Sequence, residues 1–207
     1  IGIEFMCTPF GRQEVEFLTP LVKRMKIASG CLKRKGILEA IRDTKLPVIM
    51  STGMSGIEDI DAALSSLEHT PIFYMEAQRN ITLLHCTSAY PCPIEDVNLK
   101  GMDTLLWRYG KHKKHTGKSG LICDVGYSDH TQGITIAIAA AALEATVIEK
   151  HLTLDRNAEG PDHKASIEPH DFKVMVSAIR TVEKALGDGV KKAQPSEVST
   201  KAAWYGN

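Results

Sequence analysis

LICDVGYSDHTQGITIAIAAAALEATVIEKHL, residues 121–152, decides the fold. Leu121–Ser128 and Thr146–Leu152 are short, near-continuous apolar runs, the pattern of strands covered on both faces. Between them Gln132–Glu144 is rich in Ala and Ile nearly all round, which reads as a buried helix. Strand, helix and strand in that order predict a βαβ unit with parallel strands and a right-handed crossover.

The alternation continues toward the N-terminus. Apolar runs at Gly2–Thr8, Met25–Ser29, Pro47–Thr52 and Ile81–Thr87 bring the predicted strands to six. Helical spacing lies between them, with Val15, Leu18 and Val22 on one face of Arg12–Lys23, and Ile37, Leu38 and Ile41 on one face of Arg34–Asp43. Ser55 and Glu58 have the spacing of a capping box that opens a helix toward Leu67. Pro169 suits the first position of a helix burying Phe172, Met175, Ile179, Val182 and Leu186 and stopping at Gly187. Nearly every apolar run ends in a polar residue: Thr8, Ser29, Ser51, Thr87 with Ser88, Ser128 with Asp129 and His130, and His151. In a (β/α)8 barrel that end of the strands carries the active site.

The expectation is therefore an α/β chain, an incomplete (β/α)8 TIM barrel with about six βα units over residues 1–190 and a linker or tail over 191–207. A full barrel takes about 250 residues. The chain has 207 and opens inside an apolar run, so two N-terminal units are expected to be absent from it. An open six-stranded sheet is the alternative.

Composition narrows the partners. Lys plus Arg and Asp plus Glu are 25 each, so the formal net charge is zero. That argues against nucleic-acid or anionic-membrane binding driven by bulk charge. The basic run around Lys111–His115, within Arg108–Gly120, reads as a solvated loop or helix end. No apolar run reaches the roughly 18 to 20 residues of a membrane helix, and no leader opens the chain. The five cysteines are odd in number and scattered, with no CxxC pair, which fits a reduced, cytoplasmic chain. No GxGxxG or GxxxxGK[ST] follows a strand, so neither a dinucleotide fold nor a P-loop is supported.

Chemistry gathers at the strand ends. His130 and His151 close consecutive strands, and two adjacent imidazoles suit a divalent cation acting as a Lewis acid. Hydrogen-bonded structural histidines are the bland alternative. Asp129 either orients an imidazole or caps the next helix. Lys26 lies within an apolar strand, where its charge is costly unless paired. An anionic ligand would pair it, with hydroxyls of Thr8, Ser29, Ser51, Ser88 and Ser128 completing a phosphate cradle. Otherwise Lys26 snorkels and the hydroxyls cap helices. Tyr90, in Tyr-Pro-Cys-Pro, lines a sugar pocket or simply packs, and Asp162 is a turn residue or a ligand for sugar hydroxyls. His85 reads as a core histidine, while His163 and His170 have no evident partner.

Several stretches together resemble the sialic acid synthases, N-acetylneuraminate synthase and its close relatives. They are Glu-Phe-Met-Cys-Thr-Pro-Phe (4–10), Lys-Ile-Ala-Ser-Gly (26–30), Ser-Thr-Gly-Met (51–54) and His-Cys-Thr-Ser-Ala-Tyr-Pro (85–91). Glu-Asp-Val-Asn-Leu (95–99), Gly-Tyr-Ser-Asp-His-Thr (126–131), Glu-Lys-His-Leu-Thr-Leu-Asp (149–155) and Glu-Gly-Pro-Asp-His-Lys-Ala-Ser (159–166) follow in family order. The resemblance implies a barrel that condenses phosphoenolpyruvate with an N-acetylmannosamine-type sugar, giving a nonulosonate and phosphate. It implies that His130 and His151 hold Mn2+ or Mg2+. It assigns Thr8, Lys26, Ser29, Ser51, Ser88 and Ser128 to phosphoenolpyruvate, and Tyr90 and Asp162 to the sugar. His130, His151 and Lys26 would carry the catalysis. A homodimer is implied for the full-length parent, in which a C-terminal domain covers the partner's site.

The departures shape the expectation. The family's first two strands, with a glutamate, a lysine and a glutamine of the site, have no counterpart in these residues. Cys31 stands where the family usually has glutamate, a candidate acid/base group. The family pattern fades after Glu197. This chain alone is therefore expected to be impaired. Two alternatives stand: a non-catalytic degenerate barrel used for binding or assembly, and a related phosphoenolpyruvate-dependent enzyme acting on a sugar phosphate.

Overall fold

Strands and helices alternate along the computed structural model, which describes residues 4–67, 81–110 and 123–206. Five strands, β1 (Met25–Ile27), β2 (Val48–Ser51), β3 (Ile81–Cys86), β4 (Asp124–Asp129) and β5 (Ile148–Lys150), form one sheet in chain order. Every pairing is parallel. A parallel sheet whose neighbours are consecutive in sequence curls around one side, and this one makes an incomplete α/β barrel.

Seven helices accompany the strands among the described residues: α1 (Arg12–Leu18), α2 (Lys35–Thr44), α3 (Ile57–Leu67), α4 (Gly101–Tyr109), α5 (Thr135–Ala142), α6 (Pro169–Leu186) and α7 (Val198–Tyr205). The core lies between the sheet and α1–α4. Met25, Ile27, Met50, Leu83 and Val125 of the strands meet Leu38, Ile41, Leu64 and Met102 of the helices there, all buried. Each fully buried side chain of that size contributes about 1.5 to 3 kcal/mol relative to exposure. No helix among the described residues is long and apolar enough to cross a membrane.

Several local expectations need correction. Residues 4–8 form no strand, and Phe5 and Met6 stay exposed. With no ladder partner, the segment is tied instead by Glu4, whose carboxylate accepts a 2.6 Å bond from Arg24 Nε. The strands described therefore number five rather than six. The Ser55–Glu58 box does not form. Ser55 Oγ donates to Gly53 O at 3.3 Å, and Asp59 accepts the Gly56 N–H at 3.1 Å in its place. On α6 the expected face is covered only in the middle. Met175 is buried where α6 meets α5, whereas Phe172 and Leu186 are exposed.

The segment expected to be a linker is not featureless. Gln194 and Glu197 form a reciprocal cap, and the exposed helix α7 follows. Helix α4 escaped prediction, although Met102, Leu105 and Tyr109 bury one face of it at helical spacing. The basic run Lys111–His115 lies outside the described residues.

Candidate active site

The C-terminal ends of β1, β2, β4 and β5 bring four polar side chains into one cluster. Lys26, 4% exposed, donates from Nζ to Ser51 Oγ at 2.7 Å and to Ile27 O at 3.1 Å. Its ammonium also lies 3.4 Å from Glu149 Oε1. The other oxygen of that carboxylate accepts from Ser128 Oγ at 2.6 Å and from Ser51 Oγ at 3.2 Å. A buried cation thus has a carboxylate partner within the chain, where the expectation was an anionic ligand or a snorkelling side chain. Burial acts to raise the Glu149 pKa, but Lys26 and the hydrogen bonds from Ser128, Lys26 and Ser51 outweigh it and hold the carboxyl below its ordinary range. Alternation along a strand could have revealed Glu149, because it shares a face with His151 two residues on.

A second group lies at the ends of β2 and β3. The Gly53 N–H donates to Ser29 Oγ at 3.0 Å, and Ser29 Oγ faces Cys86 Sγ at 3.7 Å. Ser88 Oγ is shut off from solvent and makes no hydrogen bond of ordinary geometry, although the Tyr90 phenol is near enough to feel it. A Cβ on Gly53 would fall 2.3 Å from Ser88 Oγ and 2.9 Å from Ser29 Oγ. These hydroxyls therefore line a space that only glycine leaves open. Ser88 and Cys86 also border a cavity of about 550 Å³ between the N-terminal ends of α3 and α4. A second cavity, about 520 Å³, is lined by tail residues such as Lys191 and Trp204 and by none of the site residues.

The two imidazoles do converge. The His130 and His151 ring centroids are 5.2 Å apart and nearly perpendicular, and the Tyr90 ring lies tilted at 4.0 Å from His130 and edge-on at 5.6 Å from His151. His130 Nδ1 lies 2.7 Å from Thr87 O. A carbonyl only accepts, so Nδ1 carries a proton and Nε2 is the nitrogen that remains for another partner. His151 Nδ1 lies 3.7 Å from Asp162 Oδ2, so Asp162 faces an imidazole. Burial, and then the neighbouring His130, hold His151 below the ordinary imidazole value, although Asp162 and Glu149 pull the other way. An imidazole kept neutral is the form that binds a metal. A second-layer acceptor on the far nitrogen is also how metal-binding histidines are commonly oriented. Among the described residues no group of three or more His, Cys, Asp or Glu is arranged to hold a metal ion.

Other expectations resolve individually. Tyr90 is half exposed, and burial, followed by the charges of Cys86, Asp162 and Glu149, pushes its phenol up to about 12. Thr8 is partly buried in the irregular segment before α1 and has no hydrogen bond to the cluster. Asp129 makes no hydrogen bond to either imidazole and does not cap α5. Its Oδ2 pairs with Lys150 Nζ at 2.8 Å, and its Oδ1 accepts from Thr131 N at 2.9 Å and Thr131 Oγ1 at 2.8 Å. Cys31 is buried at 1% exposure, and desolvation raises its thiol pKa, so it supplies no carboxylate substitute at the mouth. His85 is structural, with Nε2 2.9 Å from Val97 O, and His163 finds Thr153 Oγ1 at 2.8 Å.

The chain is 45% identical over 197 residues to the N,N'-diacetyllegionaminic acid synthase of Campylobacter jejuni, covering 95% of this chain and 54% of that protein. Its structure resembles the N-acetylneuraminic acid (sialic acid) synthetase of Leptospira borgpetersenii in complex with citrate, with a TM-score of 0.80 and 32% identity. That likeness covers 99% of this chain and 67% of the other. A truncated 3-deoxy-D-arabino-heptulosonate 7-phosphate synthase from Thermotoga maritima shares the fold at a TM-score of 0.69 and 15% identity, covering 90% of this chain and 68% of that one. The chain spans about half the length of the curated relatives it matches. The model of the NeuB family matches residues 1–191, and the chain belongs to the NeuB family.

Proposed function

We propose that this site condenses phosphoenolpyruvate with an N-acetylmannosamine-type 2-acetamido sugar, yielding a nonulosonate and phosphate. One observation carries the reading: Lys26, Ser51 and Ser128 converge on a single anionic centre beside the His130–His151 pair. Relatives named as legionaminic and sialic acid synthases support the reaction class.

Lys26 would neutralise phosphate charge, and the Ser29, Ser51, Ser88 and Ser128 hydroxyls would fix the ester's orientation. The unpartnered Ser88 hydroxyl suits that role, because a buried hydroxyl without a partner costs about 1 to 3 kcal/mol until a ligand pairs it. The enol carbon attacks the aldehyde carbon of the open-chain sugar, and the aldehyde oxygen takes a proton from solvent. Water adds at the resulting cationic carbon, and phosphate leaves with cleavage of the C–O bond, taking the proton of the new hydroxyl as that carbon becomes a ketone. Glu149, held ionised, is the group placed to accept a proton from that water. Tyr90 and Asp162, on the rim around the imidazoles, would meet the sugar. Mn2+ or Mg2+ on His130 Nε2 and His151 would supply a Lewis acid for the aldehyde oxygen. Cytoplasmic residence and a homodimer belong to the same reading.

The test is phosphate release by the intact protein from phosphoenolpyruvate with N-acetylmannosamine, and with its diacetamido analogues. One nonulosonate per phosphate is expected. No turnover with any 2-acetamido sugar, from protein that still binds phosphoenolpyruvate, would overturn the reading and favour a binding barrel.

A further inference from the structure

The ladder between β4 and β5 ends at Asp129 and Lys150. His130 and His151 are the next residue on each strand, so no rung of the sheet holds them in register. Backbone bonds from Cys92 N–H to His130 O and from Ile167 N–H to His151 O, both 2.9 Å, tie each residue to a loop, but from one strand end to the other the link is made by side chains. Lys150 Nζ pairs with Asp129, and it also donates to Thr131 O. A single ammonium, one residue before His151, thus grips both chain neighbours of His130. Asp129 closes the same turn by accepting from the Thr131 N–H and hydroxyl. Both charged side chains are 0% exposed. Such a pair is weak evidence for stability, because apolar residues often fill the same volume at no loss. Its position, astride one imidazole and adjacent to the other, points to a geometric role.

We propose that Asp129 and Lys150 are positioning residues that set the separation of the His130 and His151 rings and thereby their joint affinity for a divalent cation. The second half of this inference rests on the metal reading above, whereas the first half does not. The decisive variant, in the intact protein, is D129N/K150M. It removes both charges together, so no lone buried charge remains, and it keeps an Asn oxygen for Thr131. Two readouts apply once circular dichroism and cooperative urea unfolding show that the variant is folded. In metal-free, histidine-labelled protein, the ring-to-ring nuclear Overhauser contact between His130 and His151 is expected to be lost. In a Mn2+ titration followed by electron paramagnetic resonance, affinity is expected to fall about 10- to 100-fold.

An unchanged ring contact with Mn2+ affinity within twofold of the parent overturns the proposal. The control H130A/H151A separates the two readings. If it binds Mn2+ like the parent, or the parent binds none, the metal reading fails and the ring contact alone decides the clamp. If D129N/K150M does not fold, Lys150→Arg decides by the same readouts. Its forked head keeps the charge but changes the reach, and unaltered ring contact and affinity would again overturn the clamp.

Discussion

Lys26 and Lys150 are both buried cations of one sheet, yet they sit in different kinds of place. Lys150 and Asp129 are sealed at 0% exposure, with every polar atom of the pair turned to the protein. Lys26 meets Glu149, whose side chain is 35% exposed and shares its oxygens with the Ser51 and Ser128 hydroxyls. On neighbouring rungs, Ser128 faces Glu149 and Asp129 faces Lys150, so the two centres lie on opposite faces of the sheet edge. A buried charge does different work in the two places. A sealed pair can only hold backbone in place, whereas an open pair flanked by rotatable hydroxyls can give up its contacts to a ligand.

Breaking the sealed pair has the largest expected effect. Lys150→Met leaves the Asp129 carboxylate buried and uncompensated, which costs about 3 to 5 kcal/mol. Urea unfolding measures it, and a loss below 1 kcal/mol would erase the contrast between the two centres. Lys26→Met should cost less, about 1.5 to 3 kcal/mol, because Glu149 keeps two hydroxyl donors and a route to water. Its larger signature is in binding. Affinity for phosphoenolpyruvate by calorimetry should drop about 10- to 100-fold, the loss of one charge-assisted contact.

Gly53→Ala sharpens the comparison from the hydroxyl side. The new methyl would press on Ser88 Oγ and Ser29 Oγ, both of which can rotate away in part. A stability loss of about 1 to 2 kcal/mol is expected from overpacking. A fall in phosphoenolpyruvate affinity should accompany it, because the displaced hydroxyls are the ones that line the open space. Unchanged affinity would remove Ser29 and Ser88 from the binding set.

How far the sequence reveals these centres follows from what each depends on. The β4–α5–β5 unit is legible because continuous apolar runs and an Ala-rich helix have distinct periods. His130 and His151 are legible as a pair because both end consecutive strands. Residues 4–8 mislead because their apolar run meets the strand pattern, while a strand also needs a ladder partner that sequence does not display. The partners of the two lysines are hidden for a related reason. Register decides whether Glu149 or Lys150 faces the mouth, and a shift by one residue would exchange them. Asp129 looks like a cap because aspartate after a strand so often is one.

The mildest perturbation tests the open centre alone. Ser128→Ala removes the 2.6 Å donor to Glu149 and should cost about 1 kcal/mol near neutral pH. The sign of its pH dependence follows from linkage. Glu149 titrates lower in the folded chain than its ordinary value of about 4.3 in the unfolded one. Its contribution to stability is therefore fully present above that ordinary value and is lost as the pH falls through the folded one. Without Ser128 the folded value moves back toward the ordinary one, so the contribution shrinks, and with it the gap between variant and parent should close as acid protonates the carboxyl in both. Urea midpoints from pH 3 to 7 give the two curves. If they stay parallel down to pH 3, Ser128 does not act through the Glu149 charge, and the open centre owes its character to Lys26 alone.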